Sequence, residues 1–196
     1  MLIIRGNRIR LRDWKISEVD SYFKWESDPD VMCLASWRSG SREESARHLE
    51  DAVEQSKRID RQRYFFATEL IESCKVIGSA GFTIKARNQT GGIAEIGYFF
   101  HKEYWGMGFA TEAAMMQIEY IFRELKLHKV IACCDKRNLA SERVMQKCGM
   151  IKEGEFKKGR LHQGLWADEL QYGILLEQWE IGQKQSMRIS IEYSIS

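Results

Sequence analysis

One stretch of the sequence is the most informative about the fold of this chain: Glu95-Ile-Gly-Tyr-Phe-Phe-His-Lys-Glu-Tyr-Trp-Gly-Met-Gly-Phe-Ala-Thr-Glu-Ala113. An apolar, strand-like run leads into glycines at positions 106 and 108, and residues with helical spacing follow. Glycine lets the backbone turn tightly and approach a ligand closely. The first N–H groups of a helix lack intrahelical partners and lie at the positive end of its dipole. The pattern therefore predicts a cradle for a pyrophosphate, with a strand-to-helix turn that binds nothing as the alternative.

Two other phosphate-binding patterns are excluded by the residues around this turn. A Walker loop ends in Gly-Lys-Ser or Gly-Lys-Thr, whereas Gly108 is followed by Phe109 and Ala110. The dinucleotide pattern GxGxxG needs a third glycine where Thr111 stands, and it follows a parallel strand, whereas the strands before this turn are expected to be antiparallel. The residues alone therefore predict a phosphorylated ligand without naming it.

Apolar residues on both sides of this turn predict a mixed α+β domain. The strands expected before the turn are residues 9–13, 64–68, 76–82 and 93–100, the last three forming an antiparallel meander. The elements expected after it are a helix over 111–125, a strand over 129–134, a helix over 140–147 and strands over 151–156 and 165–175. Gly149 is expected to end the second of these helices as its C′ residue.

Two further helices are expected between the first and second strands. Ser17 is predicted as the N-cap of a helix that ends before Pro29. Ser41 and Glu44 form a capping box at the head of a longer charged helix that reaches about Arg61. The basic run of Lys57 and Arg58 with Arg61 and Arg63 is interpreted as a solvated surface, with a phosphate-facing role as the alternative.

The composition excludes several classes of function. The 196 residues are 44% apolar and 30% charged, which is typical of a soluble globular domain. A net charge of +2 gives no long-range attraction to nucleic acid or an anionic membrane, and no apolar run reaches the ~18 residues of a membrane span. The five cysteines lack CxxC spacing, and the four histidines are scattered. We therefore expect a cytoplasmic, metal-free protein that binds neither nucleic acid nor membrane.

Two segments together resemble a known enzyme family. Tyr104-Trp-Gly-Met-Gly-Phe-Ala-Thr-Glu-Ala113 resembles the acetyl-CoA motif of GNAT N-acetyltransferases, in the form typical of the RimJ/RimL branch that acetylates ribosomal-protein N-termini. The general motif falls on Trp105, Gly108 and Ala110, with Trp105 in place of the usual Arg or Gln. Residues 138–150 resemble the second signature of the branch.

The resemblance implies a fold as well as a chemistry. The expected fold is a single α+β GNAT-type domain whose largely antiparallel central sheet is flanked by helices. A splay is expected between the fourth and fifth strands, residues 93–100 and 129–134. Residues 1–180 are expected to form this domain, and residues 181–196 a tail without a clear pattern.

The co-substrate that the resemblance implies is acetyl-CoA, with no metal. Its pyrophosphate is expected on the amides of the glycine turn, and its pantetheine arm between the fourth and fifth strands. The residues implied in binding are Tyr98, Phe100, Gly106, Met107, Gly108, Ala110, Thr111 and Asn138. For Asn138 a second role is open, because Asn is also a preferred N-cap residue.

The general acid follows from a departure from the family pattern. Members of the family transfer the acetyl group directly to the amine, and many protonate the departing thiolate with a tyrosine. Met145 occupies that position here and cannot donate a proton. The resemblance therefore implies Ser141 as the acid, with helix capping as the alternative role of its hydroxyl.

The general base has several candidates. Arg160 stands where some relatives carry a carboxylate, so Glu95 is the first remaining candidate, followed by Asp168 and His162. An α-amine with a reference pKa near ~7.7–8.0 is partly neutral at physiological pH, whereas a lysine amine near ~10.4 is not. An enzyme without an evident base therefore favours α-amines.

A peptide N-terminus is the expected acceptor on these grounds. A small amine, such as a polyamine or an aminoglycoside, is the alternative, and a non-catalytic CoA-binding module is a third hypothesis. The aromatic residues Trp14, Trp25, Trp37 and Phe23 either line the acceptor groove or pack in the core. A homodimer is a further hypothesis.

Overall fold

The computed structural model of the chain describes residues 1–35, 40–162, 164–182 and 189–193. These residues form five α-helices and a nine-stranded sheet, joined by turns and two short 3-10 helices. The strands are β1 (Leu2–Arg5), β2 (Ile9–Asp13), β3 (Arg63–Leu70), β4 (Val76–Asn88), β5 (Gly91–Phe100), β6 (Lys129–Asp135), β7 (Ile151–His162), β8 (Leu165–Leu175) and β9 (Ser190–Tyr193). The helices are α1 (Val19–Glu26), α2 (Arg42–Lys57), α3 (Phe109–Arg123), α4 (Leu139–Lys147) and α5 (Leu176–Gly182).

The sheet has one parallel contact within the described part of the chain, between β5 and β6. Its strand order is β7-β8-β6-β5-β4-β3-β2-β1-β9. The parallel pairing joins residues 93–95 to 129–131 and goes no further, whereas β5 stays paired with β4 as far as Phe100. The two strands therefore separate beyond Glu95. This confirms the predicted splay and the mixed α+β class with a largely antiparallel sheet.

Helices cover both faces of this sheet, so the chain has two hydrophobic clusters. On one face α3 and α4 pack over a cluster that includes Ile96 and Met145. On the other face α1 and α2 enclose a smaller cluster that includes Trp25 and Leu49. Alternate side chains of a strand point to opposite faces. Accordingly β5 contributes Ile96 to the first cluster and Phe99 to the second.

The first helix begins later than the sequence predicts. Ser17 lies inside a 3-10 turn over Ile16–Glu18, and α1 follows with Glu18 at its N-cap position. The carboxylate of Glu18 accepts two hydrogen bonds from the buried guanidinium of Arg12, at 2.8 and 2.6 Å. This ion pair fixes the turn, and the prediction that Ser17 caps the helix is therefore wrong.

The second helix begins as predicted and ends earlier. The Ser41 side chain accepts a hydrogen bond from the Glu44 N–H at 3.1 Å, which confirms the N-cap. Arg58 is extended, so α2 ends at Lys57. Arg61 is buried and donates to the Asp13 carboxylate at 2.8 Å. The interpretation of Arg61 as a surface residue is therefore wrong, because it is half of a buried ion pair.

The sequence patterns missed one strand and underestimated the length of two others. β1 was not predicted; it pairs with β2 on one side and with β9 on the other. β4 and β7 continue to Asn88 and His162, well beyond the predicted ends. Gly149 follows α4 with a φ of +76°, as predicted for a C′ glycine. None of the described helices is long and apolar enough to cross a membrane.

Candidate functional site

The glycine turn opens directly onto the first turn of α3. Gly106 and Gly108 have φ values of +74° and +81°, which L side chains rarely adopt, and Gly108 is the N-cap of α3. A Cβ built on Gly106 would meet no atom within 4 Å, so this turn faces open space. The amides of Phe109, Ala110 and Thr111 begin the helix and have no intrahelical acceptor. The geometry fits a bound anion at the positive end of the helix.

Arg8, from the turn between β1 and β2, fastens this cradle to the sheet. Its Nη1 donates to the Met107 carbonyl at 2.9 Å, and its Nε donates to the buried Glu112 carboxylate at 2.8 Å. Its guanidinium also lies 4.5 Å from the centre of the Phe109 ring. Sequence patterns gave no signal for this contact, because Arg8 is about a hundred residues from the cradle along the chain.

A surface groove of about 340 Å³ adjoins the cradle. Its lining includes Gly108 and Thr111 together with the cationic side chains of Arg8 and Lys147. The cradle amides, the helix dipole and the two cations favour a negatively charged ligand, while Glu112, which pairs with Arg8, is the one carboxylate among the described lining residues. The groove is therefore suited to the phosphates of a ligand such as CoA.

Ser141 and Tyr98 meet beside the splay, one from α4 and one from β5. The Ser141 Oγ lies 2.9 Å from the phenol oxygen of Tyr98, which also lies 3.3 Å from the Ser141 carbonyl. Asn138 is the N-cap of α4, since its Oδ1 accepts the Ser141 N–H at 3.0 Å. The N-cap of α4 is thus Asn138, and the Ser141 hydroxyl contacts a tyrosine instead.

The surroundings of this pair are apolar. Burial raises the pKa of the Tyr98 phenol above its usual range, so the group stays protonated at neutral pH. Met145, at the position where many relatives carry a tyrosine, is buried in the core. Burial also raises the pKa of the Cys134 thiol, to about 11, although a hydrogen bond with Ser141 opposes that shift. Sequence reasoning assigned Tyr98 through its backbone and missed its side chain.

The backbone of β5 presents polar groups to the splay. The His101 N–H donates to the Ile77 carbonyl of β4 at 3.0 Å, and such orientations alternate along an antiparallel strand. The N–H and carbonyl groups of Tyr98 and Phe100 therefore face away from β4, toward the gap. The Phe100 carbonyl accepts the Trp105 indole N–H at 2.8 Å. Trp105 thus fixes the end of β5, and the backbone groups of Tyr98 face the space predicted for pantetheine.

A second and larger groove, of about 660 Å³, lies on the opposite face of the sheet. It is lined by α1, α2, β3, β4 and β5, and it reaches Gly97 and Phe99 at the splay. Trp25 lines it and stacks on Phe99 with ring centres 5.2 Å apart. Trp14 is buried in the smaller cluster, so it packs rather than lines the groove. Trp37 lies outside the described residues.

The acidic side chains of this groove already have partners. Glu95 contacts the Lys85 ammonium at 3.0 Å, and this hydrogen bond raises the pKa of Lys85. Asp51 accepts from Arg63 at 2.8 Å. Glu44 accepts the Gly40 N–H at 2.7 Å. Two of these three carboxylates are therefore paired with a cation, and the third is bound to a backbone N–H.

The remaining base candidates differ in what surrounds them. Arg160 lines the groove and pairs with Glu169 at 3.0 Å. Asp168 accepts the Lys158 N–H at 3.0 Å, a contact within the β7–β8 hairpin. The side chain of His162 lies outside the described residues. Of the sequence-predicted candidates with a described side chain, Glu95 is the carboxylate that lines the groove.

The thiols within the fold, in contrast to the exposed Cys33 and Cys74, are unsuited to nucleophilic catalysis. All five cysteines fall in the described ranges and are free. Burial raises the pKa of Cys133 and of Cys148 to about 12, and the thiolate is the reactive form of cysteine. In the described part of the chain, no group of three or more His, Cys, Asp or Glu side chains is arranged to hold a metal ion.

Comparison with known proteins identifies the family of this chain. Residues 8–151 match the family described as acetyltransferase (GNAT) domain. The chain belongs to the GNAT acetyltransferase family. It is 34% identical over 176 residues to the N-acetyltransferase YnaD of Bacillus subtilis, covering 90% of this chain and 98% of that protein. This GNAT chain is accordingly an acetyl-CoA-dependent N-acetyltransferase, and the hypothesis of a non-catalytic module is not retained.

Solved structures share the GNAT fold over most of the chain. A GNAT-family acetyltransferase from Bacillus anthracis is 32% identical, with a TM-score of 0.76 over 89% of this chain and 99% of that one. The ribosomal-protein-S5-alanine acetyltransferase of Vibrio fischeri is 23% identical, with a TM-score of 0.78 over 90% and 98%. Spermidine N-acetyltransferase of Vibrio cholerae, solved with CoA and spermine, is 18% identical, with a TM-score of 0.75 over 88% and 98%. The last two show the fold alone.

Proposed function

We propose that this N-acetyltransferase acetylates the N-terminal α-amine of a peptide or protein, as enzymes of the RimJ/RimL branch do. The observation that carries the proposal is the charge pairing in the larger groove. Glu95 and Asp51 are each in contact with a cation, and Glu44 with a backbone N–H. A polyamine carries several ammonium groups and would need free carboxylates, whereas a peptide N-terminus brings a single amine and a polar backbone.

The two grooves lie on opposite faces of the sheet, and we assign a different substrate to each. Acetyl-CoA is proposed to lie on the α3–α4 face, with its pyrophosphate on the amides that follow Gly106 and Gly108. The acceptor is proposed to lie on the α1–α2 face, where the groove reaches Gly97 at the splay. Reaction would then take place in the gap between β5 and β6, the place where the two faces communicate.

The proposed role of Ser141 is to donate a proton to the departing thiolate. Its hydroxyl lies beside the splay, and the protonated Tyr98 phenol contacts it. Glu95, the first base candidate of the sequence, lies on the acceptor side, and its ion pair with Lys85 must open before it can accept a proton. Asn138 has a capping role in the structure, and a contact of its amide with pantetheine remains part of the proposal.

The pKa of the acceptor amine also supports an α-amine. An N-terminal amine with a reference pKa near ~7.7–8.0 supplies neutral amine at pH 7 without help, whereas a lysine amine near ~10.4 does not. Fewer than about one lysine amine in a thousand is neutral at that pH. An α-amine therefore needs less help from a base than a lysine amine does.

A small-amine acceptor is the second function that an observation favours. The chain shares its fold with a spermidine N-acetyltransferase, and the larger groove is open enough for such a ligand. This alternative predicts that the Glu95 ion pair opens to receive an ammonium group. A cytoplasmic location and a homodimer remain predictions.

Competition among three amines tests the proposal. A peptide with a free N-terminus and one internal lysine is mixed with equimolar spermidine at pH 7, and acetyl-CoA is limiting. Tandem mass spectrometry then locates the acetyl group. We expect acetylation mainly on the peptide α-nitrogen and none of comparable rate on the same peptide with a blocked N-terminus. Preferential acetylation of spermidine or of the lysine would overturn the proposal.

A further inference from the structure

A fully buried glutamate holds a histidine at the wall of the larger groove. Glu26 of α1 has no exposed surface. One of its carboxylate oxygens accepts the hydroxyl hydrogen of the buried Ser45, and the other lies 2.7 Å from the Nδ1 of His48. Ser45 and His48 both belong to α2. The side chain of His48 is 42% exposed and lines the groove.

The buried carboxylate fixes the tautomer of this imidazole. An ionised carboxylate only accepts hydrogen bonds, so we assign the imidazole proton to Nδ1, which donates it to Glu26. The lone pair of the neutral ring is then on Nε2. Burying a carboxylate costs free energy unless it is well bonded, and here Ser45 and His48 supply those bonds. The arrangement matches that of a histidine base oriented by a carboxylate.

We propose that His48, oriented by Glu26, is the general base that takes the proton from the acceptor amine. This rests on the proposed function, in which the amine enters the larger groove. His48 Nε2 accepts one proton from the ammonium form, and Glu26 stabilises the resulting imidazolium. The neutral amine then forms the C–N bond as the C–S bond breaks. The second proton of that nitrogen passes to the thiolate by way of Ser141, and His48 returns its proton to solvent.

His48 is better suited to this role than the carboxylate that sequence reasoning favoured. Glu26 already orients the ring by its contact with Nδ1 at 2.7 Å, and an imidazole can take up a proton on its other nitrogen. Glu95 must first leave its contact with Lys85. His48 was overlooked in the sequence because 22 residues separate it from Glu26, and only the packing of α1 against α2 brings them together.

Other ionisable groups line the same groove as His48. They come from α1, α2 and the strands across the groove: Tyr22, Glu44 and Asp51, Arg63, and beyond these Lys85, Glu95 and Arg160. Asp51, Glu95 and Arg160 are in ion pairs, with Arg63, Lys85 and Glu169 respectively. Glu26 is therefore the acidic group in direct hydrogen-bonding contact with the Nδ1 of His48.

The test compares pH–rate profiles of the full-length enzyme with a peptide α-amine. His48→Gln should lower kcat/KM at pH 6.5 by about 100-fold, the lower end of the range for a positioned base, because the α-amine is partly neutral by itself. The loss should shrink toward pH 9 as the amine deprotonates without help. The KM for acetyl-CoA should not change. Imidazole added to His48→Ala should restore part of the rate at pH 6.5.

A second variant separates the base from a structural role. Glu26→Gln presents an amide donor to Nδ1, which moves the ring proton to Nε2 and should give the same pH-dependent loss. The matched controls are Glu119→Gln, another buried glutamate, on α3, and His128→Gln, an exposed histidine before β6. Both controls should keep the wild-type profile. If Glu26→Gln does not fold, the His48 variants still decide the question.

The outcomes distinguish the two levels of the proposal. If wild-type protein acetylates no peptide α-amine, the proposed function is wrong. The pH–rate profiles of wild type and His48→Gln are then compared with the amine that wild type does acetylate. If His48→Gln keeps the wild-type pH–rate profile on the amine that wild type accepts, the base assignment is overturned and the proposed function stands.

Discussion

The phenol oxygen of Tyr98 lies 2.9 Å from the hydroxyl oxygen of Ser141, which links β5 to α4 beside the splay. Burial keeps the phenol protonated by raising its pKa. The N-cap of α4 is Asn138, which leaves the Ser141 hydroxyl available for another purpose. The two hydroxyl groups therefore form a short hydrogen-bonded chain at the place where the thiolate of CoA is expected to leave.

Replacing Ser141 tests its role as the acid. Ser141→Ala should lower kcat by roughly 10–100-fold, at or below the lower end for a positioned acid, because a thiolate with a pKa near ~8.5 is a tolerable leaving group. The KM for acetyl-CoA should change little. For comparison, Asn138→Ala should cost about 1 kcal/mol of stability through loss of the cap. Steady-state kinetics and thermal melts measure both effects, and an undiminished kcat for Ser141→Ala would leave the acid unassigned.

Replacing Tyr98 tests whether it acts through Ser141. Tyr98→Phe removes the phenol and keeps the ring, so it should lower kcat by less than Ser141→Ala does. Because the two residues form one unit, the double variant should be no slower than Ser141→Ala alone. A double-mutant cycle in kcat measures this coupling. Additive losses would mean that Tyr98 contributes independently of Ser141.

Gly108→Val tests the cradle. The φ of +81° at Gly108 disfavours a side chain, and a Cβ there would stand 3.5 Å from the Arg8 guanidinium, beside the anion site. We expect CoA binding measured by calorimetry to weaken by at least about tenfold, equal to about 1.4 kcal/mol. Gly164→Val is the matched control, because Gly164 has the same φ of +81° and its Cβ would meet no atom within 4 Å. Equal CoA affinity in both variants, with both folded, would remove the basis for the cradle.

The buried His101 should make stability depend on pH. Burial lowers its pKa below the usual 6.5, with a smaller contribution from the positive charge of Lys24. The unfolded chain therefore binds a proton that the folded chain resists, so stability is complete above pH 6.5 and falls as the pH drops through the folded pKa. His101→Gln should flatten the melting temperature between pH 7 and 5 relative to wild type. The exposed His128→Gln should not, and an unchanged slope for His101→Gln would contradict this assignment.

Local signals in the sequence predicted the elements that depend on local chemistry. Ser41 caps α2 and Gly149 ends α4, because capping is decided within a few residues. The glycines at 106 and 108 likewise predicted the tight turn into α3. The short β1 was not predicted, because its four residues pair on one side with β2 and on the other with β9, which lies at the far end of the chain.

Contacts between distant residues could not be read from the sequence. Arg61 appeared in a basic run, and only the fold shows that it neutralises Asp13 inside the protein. The Glu26–His48 contact and the Arg8 clamp likewise depend on how elements pack. The proposed cradle lies in one continuous segment and could be predicted, whereas the larger groove is lined by α1, α2, β3, β4 and β5 together with Arg160 of β7.

Direct transfer of the acetyl group between two bound substrates can be tested by initial-velocity kinetics. Rates are measured while acetyl-CoA and the acceptor are both varied, and the protein is examined by intact-mass spectrometry after incubation with acetyl-CoA alone. Burial raises the pKa values of Cys133, Cys134 and Cys148, and the exposed Cys33 and Cys74 line neither of the two grooves, so we expect no acyl-enzyme. Direct transfer predicts intersecting double-reciprocal lines and an unmodified protein. Parallel lines with a catalytically competent acetylated protein would contradict it.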